Sequence, residues 1–393
     1  MGAMLSIDEA RAAVLGEVRA LGDEEVAIAD ALGRVLAEDV IAAADVPGFA
    51  NSAMDGFAVR SGPAGRRLRI AGESRAGAPA ATTLQEGEAI RISTGAMLPA
   101  GADAVLQIEL VTEADGAIVL GEDVQPGRNV RNAGEDIRGG ANVLRTGTAL
   151  RAAELGAAVN AGRAAVRVAR RPRVAILATG DELVDPGAPL GPGQIHDSNA
   201  PMLTALARQA GADASAARIA DEREATEAAI ATALGEADLL VLSGGVSVGP
   251  HDHVKPALEA NHVEEVFWRV ALRPGKPTWF GVRRSDGTLV LGLPGNPVSA
   301  YVTFTLFARH ALAALQGADS RARMRTARLA EPIERHRDRD ECVRVRIDEH
   351  GAATPTGPQG SHVLSSLLGA DGLAVIPRGE GRLEAGAVVD VYE

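Results

Sequence analysis

Between Arg171 and Gln316 short apolar runs alternate with helical stretches, and this alternation limits the fold more than any other feature of the chain. RVAILAT (173–179), ASAARIA, DLLVLS and GTLVLGL (287–293) read as buried strands. The segments through MLTALARQA, REATEAAIATAL and YVTFTLFARHALAAL read as helices. Strands separated by helices form βαβ units around a mostly parallel sheet, and such a sheet binds ligands at the carboxyl ends of its strands. Those ends here carry TGDE, ADE, SGGVSVGPHD and LPGNP.

The flanks have a different texture. Ser6 and Glu9 make a capping box before Ala10, Val14, Leu15 and Val18, so a helix is expected there. A second helical stretch is expected near Ala31 to Asp39. Pro47 and Gly48 end that pattern, and short alternating segments such as LRIAGES, EAIRIST and AIVLGEDV follow to about residue 135. RAAELGAAVNAG reads as helical again, and ECVRVRI, GLAVIP and AVVDVY read as strands near the end of the chain. The expected organisation is a multi-domain α/β protein. A helical and linker domain (1–45 with 136–170) carries an inserted β-rich lid domain (46–135). A central α/β domain (171–320) and a small C-terminal β domain (321–393) follow.

With 393 residues the chain exceeds what one core supports. A net charge of −12 argues against general nucleic-acid binding and against a membrane surface as partner. Cys342 is the sole cysteine, which excludes an internal disulfide and a cysteine-based zinc site. No apolar run of about 18 residues is evident, so no transmembrane segment is expected. The acidic N-terminal stretch lacks a signal-peptide core, and a cytoplasmic location is expected. Of the 40 basic residues only Lys255 and Lys276 are lysines, and both lie near the glycine loops.

The strand ends supply the chemistry. Gly244, Gly245 and Gly249 leave backbone amides open to an anion, because no Cβ blocks the approach; a bare strand-to-helix turn uses the same residues. Asp181, Glu182, Asp221 and Asp252 are carboxylates at successive strand ends, and Ser243, Ser247 and Ser299 are nearby hydroxyls. Arg273 and Lys276 lie in RPGKP, close in sequence to the same edge. Carboxylates beside an anion cradle repel a phosphate unless a hard cation such as Mg²⁺ lies between them; each acid alone also fits a helix cap or a solvated loop. Pro294 to Pro297 set a rigid turn before a helix N-terminus, again an anion site or a plain turn. His251 and His253 lack further metal-ligand partners, so a non-metal role is expected for them. The glycine loops match neither a Walker A nor a GxGxxG pattern, and no GxSxG elbow is visible.

In this order, TGDEL, SGGVSVGPHDHVK, RPGKP and GLPGNPVSA resemble the molybdopterin-binding domain of the MoeA/gephyrin E-domain family. NSAMDGFAVR (51–60), STGAMLPAGADAV (93–105), GEDI (134–137) and GPQGSHVLSSL (357–367) are similar to that family's other signatures, so the likeness runs almost the whole chain. The resemblance implies a molybdopterin-binding fold and molybdopterin molybdenumtransferase activity, the last step of molybdenum cofactor synthesis. Adenylated molybdopterin and molybdate enter, and molybdenum cofactor and AMP leave, assisted by Mg²⁺ or a similar cation. It further implies a homodimer with the cleft shared between subunits, and transient contact with other cofactor-synthesis proteins.

Carried over residue by residue, the resemblance puts Asp55, Thr94 and Asp136 on the cleft from the N-terminal part, with Asp55 and Thr94 serving the partner's site. Asp55, Asp136 and Asp221 are the expected catalytic acids, and Glu182 and Asp252 the expected metal ligands. Asp181, Gly244, Gly245, Ser247, Gly249, Arg273, Lys276, Pro294, Pro297, Ser299, Arg344 and Ser361 are expected, with Thr94, to bind substrate, several of them around molybdate. Arg273 and Arg269 stand where the family often has lysine; charge is kept, but a planar fork replaces a point charge. The sister activity, adenylation of molybdopterin by ATP, belongs to single-domain proteins whose loop usually reads GGTG, and this loop reads SGGVSVG. A non-catalytic scaffold would want a hydrophobic groove, for which 3% aromatic content gives no support.

Overall fold

The computed structural model describes residues 4–245, 253–320 and 324–393. Helix α1 (Ile7–Glu17) starts at the expected capping box: Ser6 Oγ accepts the Glu9 amide at 3.2 Å, and Glu9 Oε2 accepts the Ser6 amide at 2.8 Å. Its buried face, Ile7, Ala10 and Val14, shares a core with Phe304, Phe307 and Leu312 of the α/β domain. The rest of the first domain is tied by the antiparallel pair Asp23–Ala27 and Ala165–Ala169, with α2 (Ala152–Asn160) alongside.

Residues 31–39 are not the expected helix. Val35 bridges to Ala149 and Leu36 to Val168, and the Gly33 amide donates to Leu150 O. Ala31, Val35 and Leu36 are spaced as on a helix face and are all buried, but Val35 and Leu36 are held in isolated β-bridges that follow a turn. Gly33 sits at φ +74, a left-handed conformation that interrupts any helix.

The β-rich segment forms a six-stranded sheet in the spatial order Ala104–Gln107, Gly56–Val59, Glu88–Ile92, Arg67–Ser74, Ala117–Leu120, Val111–Ala114. Gly56 is required there, since a Cβ would lie 2.0 Å from Leu106 O.

The central sheet runs Asp213–Ile219, Arg173–Thr179, Leu239–Ser243, Thr288–Leu293, Trp279–Arg283, Val263–Trp268. The first four strands are parallel and the last two antiparallel. The strand pair VEEVFW and TWFGVR adds an edge that the apolar alternation does not reveal. Register aligns the motif-bearing ends: Thr179 pairs with Ile219, and Ser243 pairs with both Ala178 and Leu293. Four strands therefore deliver their loops to one edge. Helices α3 (Asn199–Gln209), α4 (Arg223–Glu236) and α5 (Val254–Ala260) cover the sheet.

Helix α6 (Pro297–Thr303) continues through a π-helical turn (Phe304–Ala308) into α7 (Arg309–Leu315). This corrects the expectation of no spanning-length apolar segment: Pro297–Leu315 is long and apolar enough to cross a membrane. The reason is packing. The helix is largely buried, and its apolar residues fill the core between the sheet and α1.

The C-terminal sheet comprises Asp340–Ile347, Ala352–Pro355, Met324–Leu329, Val388–Tyr392 and Gly372–Ile376. The short strand Leu272–Arg273 joins it, with Leu272 paired to Asp340 and Arg273 to Glu341. The RPGKP segment thus bridges the α/β and C-terminal domains.

Candidate active site

A cavity of about 880 Å³ lies at the carboxyl edge of the parallel strands. Its walls include Thr179, Gly180 and Glu182 from the first loop, Asp221 from the second, Ser243, Gly244 and Gly245 from the third, and Pro294 to Pro297 from the fourth. His362 and Leu364 of the C-terminal domain complete the rim. Backbone geometry explains the glycines. Gly244 and Gly245 have φ +92 and +65, and a Cβ on Gly245 would lie 2.5 Å from Val254 Cγ2. At Gly180, φ +145, a Cβ would lie 2.5 Å from Glu182 Oε2.

The carboxylates form a short network. Thr179 Oγ1 donates to Asp221 Oδ1 at 2.9 Å, and the Asp221 amide donates to Asp181 Oδ1 at 3.2 Å. Asp181 braces Asp221 without itself lining the cavity. On the opposite wall, Asn199 Nδ2 donates to Ser243 Oγ at 2.9 Å and to Gly295 O at 2.7 Å, which fastens α3 to two strand-end loops. Asp197 Oδ1 accepts the Ala200 amide at 3.0 Å at the start of the same helix.

The PGNP turn is anchored across domains. Asn296 Nδ2 donates to Ser361 Oγ at 3.0 Å, and Ser361 O accepts the Val298 amide at 3.1 Å. Ser299 is buried one turn further on, where its carbonyl accepts from Thr303 Oγ1. Arg273 pairs with Glu341 at 3.4 Å, while Lys276 is exposed next to Pro277, which lines the cavity.

Arg344 is completely buried. Its Nε donates to Ser366 Oγ at 3.0 Å, and its other nitrogens donate to Cys342 O and Gly360 O at 3.3 Å. Burial pulls its pKa below the ordinary arginine value. It holds the loop bearing Ser361 and does not line the cavity. Burial also pushes the Cys342 thiol up to about 12, which leaves it an inert core residue.

Asp55, Thr94 and Asp136 lie away from this cavity, exposed on the N-terminal domains. Asp55 Oδ1 accepts the Thr94 amide at 2.8 Å, and the Asp136 amide donates to Val46 O. Ser247, Gly249, His251 and Asp252 lie outside the described residues. His253, at the start of α5, lines the cavity. The sequence reading did not single out Thr179, Asn199, Asp197, His196, Asn296 or His362, all of which line the wall or brace it. The polar run HDSN before α3 was the available signal for three of them.

Three family models match the chain in succession. Residues 5–162 match the MoeA N-terminal region (domain I and II), 175–314 a probable molybdopterin binding domain, and 326–393 the MoeA C-terminal region (domain IV). A molybdopterin molybdenumtransferase of Haemophilus influenzae is 36% identical over 400 residues, covering 99% of this chain and 98% of its own. The chain belongs to the MoeA family of molybdopterin molybdenumtransferases. A second relative in that family, molybdopterin molybdenumtransferase 2 of Mycobacterium tuberculosis, is 37% identical over 406 residues, covering 99% of this chain and all of its own. Among solved structures, a molybdopterin biosynthesis MoeA protein of Pyrococcus horikoshii is similar at TM-score 0.82 and 33% identity, with 99% of each chain covered. The MoeA assignment accounts for the arrangement of the cavity: its floor belongs to the molybdopterin binding region and part of its rim to the C-terminal region.

Proposed function

We propose that this chain transfers molybdenum from molybdate to molybdopterin, receiving the pterin as its adenylate and releasing AMP. One observation carries this reading: a cavity floored by the strand ends of the molybdopterin binding region and rimmed by the MoeA C-terminal region. The Gly244 amide is taken by Leu293 O and the Thr179 hydroxyl by Asp221, so the glycine backbone at Gly245 and the Ser243 hydroxyl are the strand-end groups left to suit the phosphates.

Mg²⁺ typically uses one or two carboxylates plus waters and substrate phosphates. Glu182 and Asp221 on the wall fit that sparse mode, whereas no group of three or more metal-ligating side chains occurs among the described residues. Glu182, with Asp252, would hold the cation, which supplies neutralisation of the pyrophosphate charge. Asp221, braced by Thr179 and Asp181, orients the attacking oxygen as the pyrophosphate bond breaks and AMP leaves. Arg273, Lys276, Ser299 and Ser361, with Ser247 and Pro297, are assigned to the molybdate end, and the fully buried Arg344 supports the Ser361 loop from behind instead of binding the anion. In this reading the enzyme is a cytoplasmic homodimer, the β-rich domain acts as a lid, and Asp55, Thr94 and Asp136 complete the partner's cleft.

AMP release from adenylated molybdopterin, followed with and without molybdate and Mg²⁺, tests the proposal. Molybdate-stimulated release is expected; its absence from the folded protein rejects the reading.

A further inference from the structure

An anionic substrate meets the wrong charge on the described walls of the cavity. Glu182, Asp197 and Asp221 line it, and among the described residues no lysine or arginine does. Arg273 is paired with Glu341 and Arg344 is completely buried. Lys276 precedes the wall residue Pro277 without lining the cavity itself. The wall side chains able to carry positive charge are the imidazoles of His196, His253 and His362.

Two of the three have other commitments. His196 Nε2 lies 2.9 Å from Ala188 O, and a carbonyl only accepts, so the proton on that nitrogen is used within its own loop. His253 directly follows Asp252, which places it at the cation end of the proposed site. His362 is exposed, and among the described residues no partner holds its ring.

The backbone around His362 is fixed although the ring is free. Ser361 O accepts the Val298 amide at 3.1 Å, Ser361 Oγ accepts from Asn296 Nδ2 at 3.0 Å, and Gly360 O accepts from the buried Arg344 at 3.3 Å. A Cβ on Gly360 would lie 3.0 Å from His362 Cε1 and 3.3 Å from Nδ1, so the imidazole rests against a bare α-carbon. The loop thus presents an accessible ring from a rigid base, beside the Pro294–Pro297 turn that forms the facing wall. An imidazole N–H donates to an oxyanion in either protonation state, and the bond is stronger when the ring is charged.

We infer that His362 is a further substrate-binding residue, whose imidazole donates to a tetrahedral oxyanion where the C-terminal domain meets the Pro294–Pro297 turn. The inference rests on the proposed function and extends it by adding a donor from the C-terminal domain. Two oxyanions of that reaction have the required chemistry, molybdate and the phosphate of the adenylate.

Calorimetry with sodium molybdate and with AMP, on wild-type protein, His362→Ala, His362→Asn and His362→Gln, tests the inference. His362→Ala is expected to lose about tenfold or more in affinity for at least one probe. One of the amide variants, which keep an N–H donor, is expected to recover part of that loss. A greater loss for molybdate names molybdate as the anion held, and a greater loss for AMP names the phosphate. Unchanged affinities in His362→Ala overturn the inference. An equal loss for both probes that neither amide variant recovers also overturns it, since a loosened loop has that effect. Wild-type protein that binds neither probe fails the functional reading and the inference with it, whereas wild-type binding that His362→Ala keeps intact overturns the inference alone. Should His362→Ala not fold, ¹⁵N-histidine-labelled wild-type protein gives the second readout. The His362 ring nitrogens are expected to shift on addition of molybdate or AMP, and resonances that move with neither overturn the inference.

Discussion

Asp55 Oδ1 accepts the backbone amide of Thr94 at 2.8 Å, so two residues far apart in sequence act as one hydrogen-bonded unit on the β-rich domain. The contact serves as a turn cap whatever else the carboxylate does. Asparagine retains the accepting oxygen and removes the charge. Asp55→Asn is expected to melt within a few degrees of wild type while AMP release falls at least tenfold. Asp55→Ala should lose about 1 kcal/mol of stability as well. Full activity in Asp55→Asn would reduce Asp55 to a cap.

Gly180 and Glu182 compete for the same space. A Cβ on Gly180 would lie 2.5 Å from Glu182 Oε2, and φ +145 already disfavours any side chain. Gly180→Ala should displace the carboxylate and raise the Mg²⁺ concentration needed for half-maximal AMP release. A magnesium titration of the variant checks this; an unchanged midpoint removes Glu182 from cation binding.

Arg344 is buried among a hydroxyl and two carbonyls. Replacing it with methionine leaves Ser366 Oγ, Cys342 O and Gly360 O without their donor. The expected cost is about 2–4 kcal/mol, measured by chemical denaturation. The loop carrying Ser361 should loosen with it, visible as faster amide exchange across residues 357–366.

Asp238 governs acid stability where the α/β domain begins. Its carboxylate accepts both arms of Arg170 at 2.8 and 2.9 Å and the Arg173 amide at 2.7 Å. Burial pushes its pKa up, but these partners outweigh burial and hold it below the ordinary value. A lowered folded pKa contributes stability that is fully present above the unfolded pKa, about 3.9. That contribution is lost as pH falls through the lower folded value. Wild type should therefore lose melting temperature below about pH 4 more steeply than Asp238→Asn, which starts lower and declines less.

The parallel strands and their helices were legible because burial on both faces leaves unbroken apolar runs, such as Leu239–Leu242, between punctuating glycines and acids. The capping box at Ser6 was equally direct. Residues 31–39 differ because helix-like spacing also arises when a turn and isolated β-bridges bury side chains. The antiparallel strand pair at the sheet edge escaped because VEEVFW mixes charge with aromatic residues.

Sequence by itself determined which residue types stand at the strand ends and, through the signatures in TGDEL, NSAMDG and LPGNPVS, which family the chain resembles. Only the tertiary structure decided which of them meet. Register aligned Ser243 with Ala178 and Leu293, which brought Glu182, Asp221, Gly244 and Pro294 to one cavity while leaving Arg344 inside the neighbouring sheet. It also decided that Asn199, unremarkable in HDSNAP, fastens two strand-end loops beside that cavity. The physical reason is that hydrogen-bond satisfaction depends on partners far apart in sequence, here residues 199, 243 and 295, and no local pattern records them.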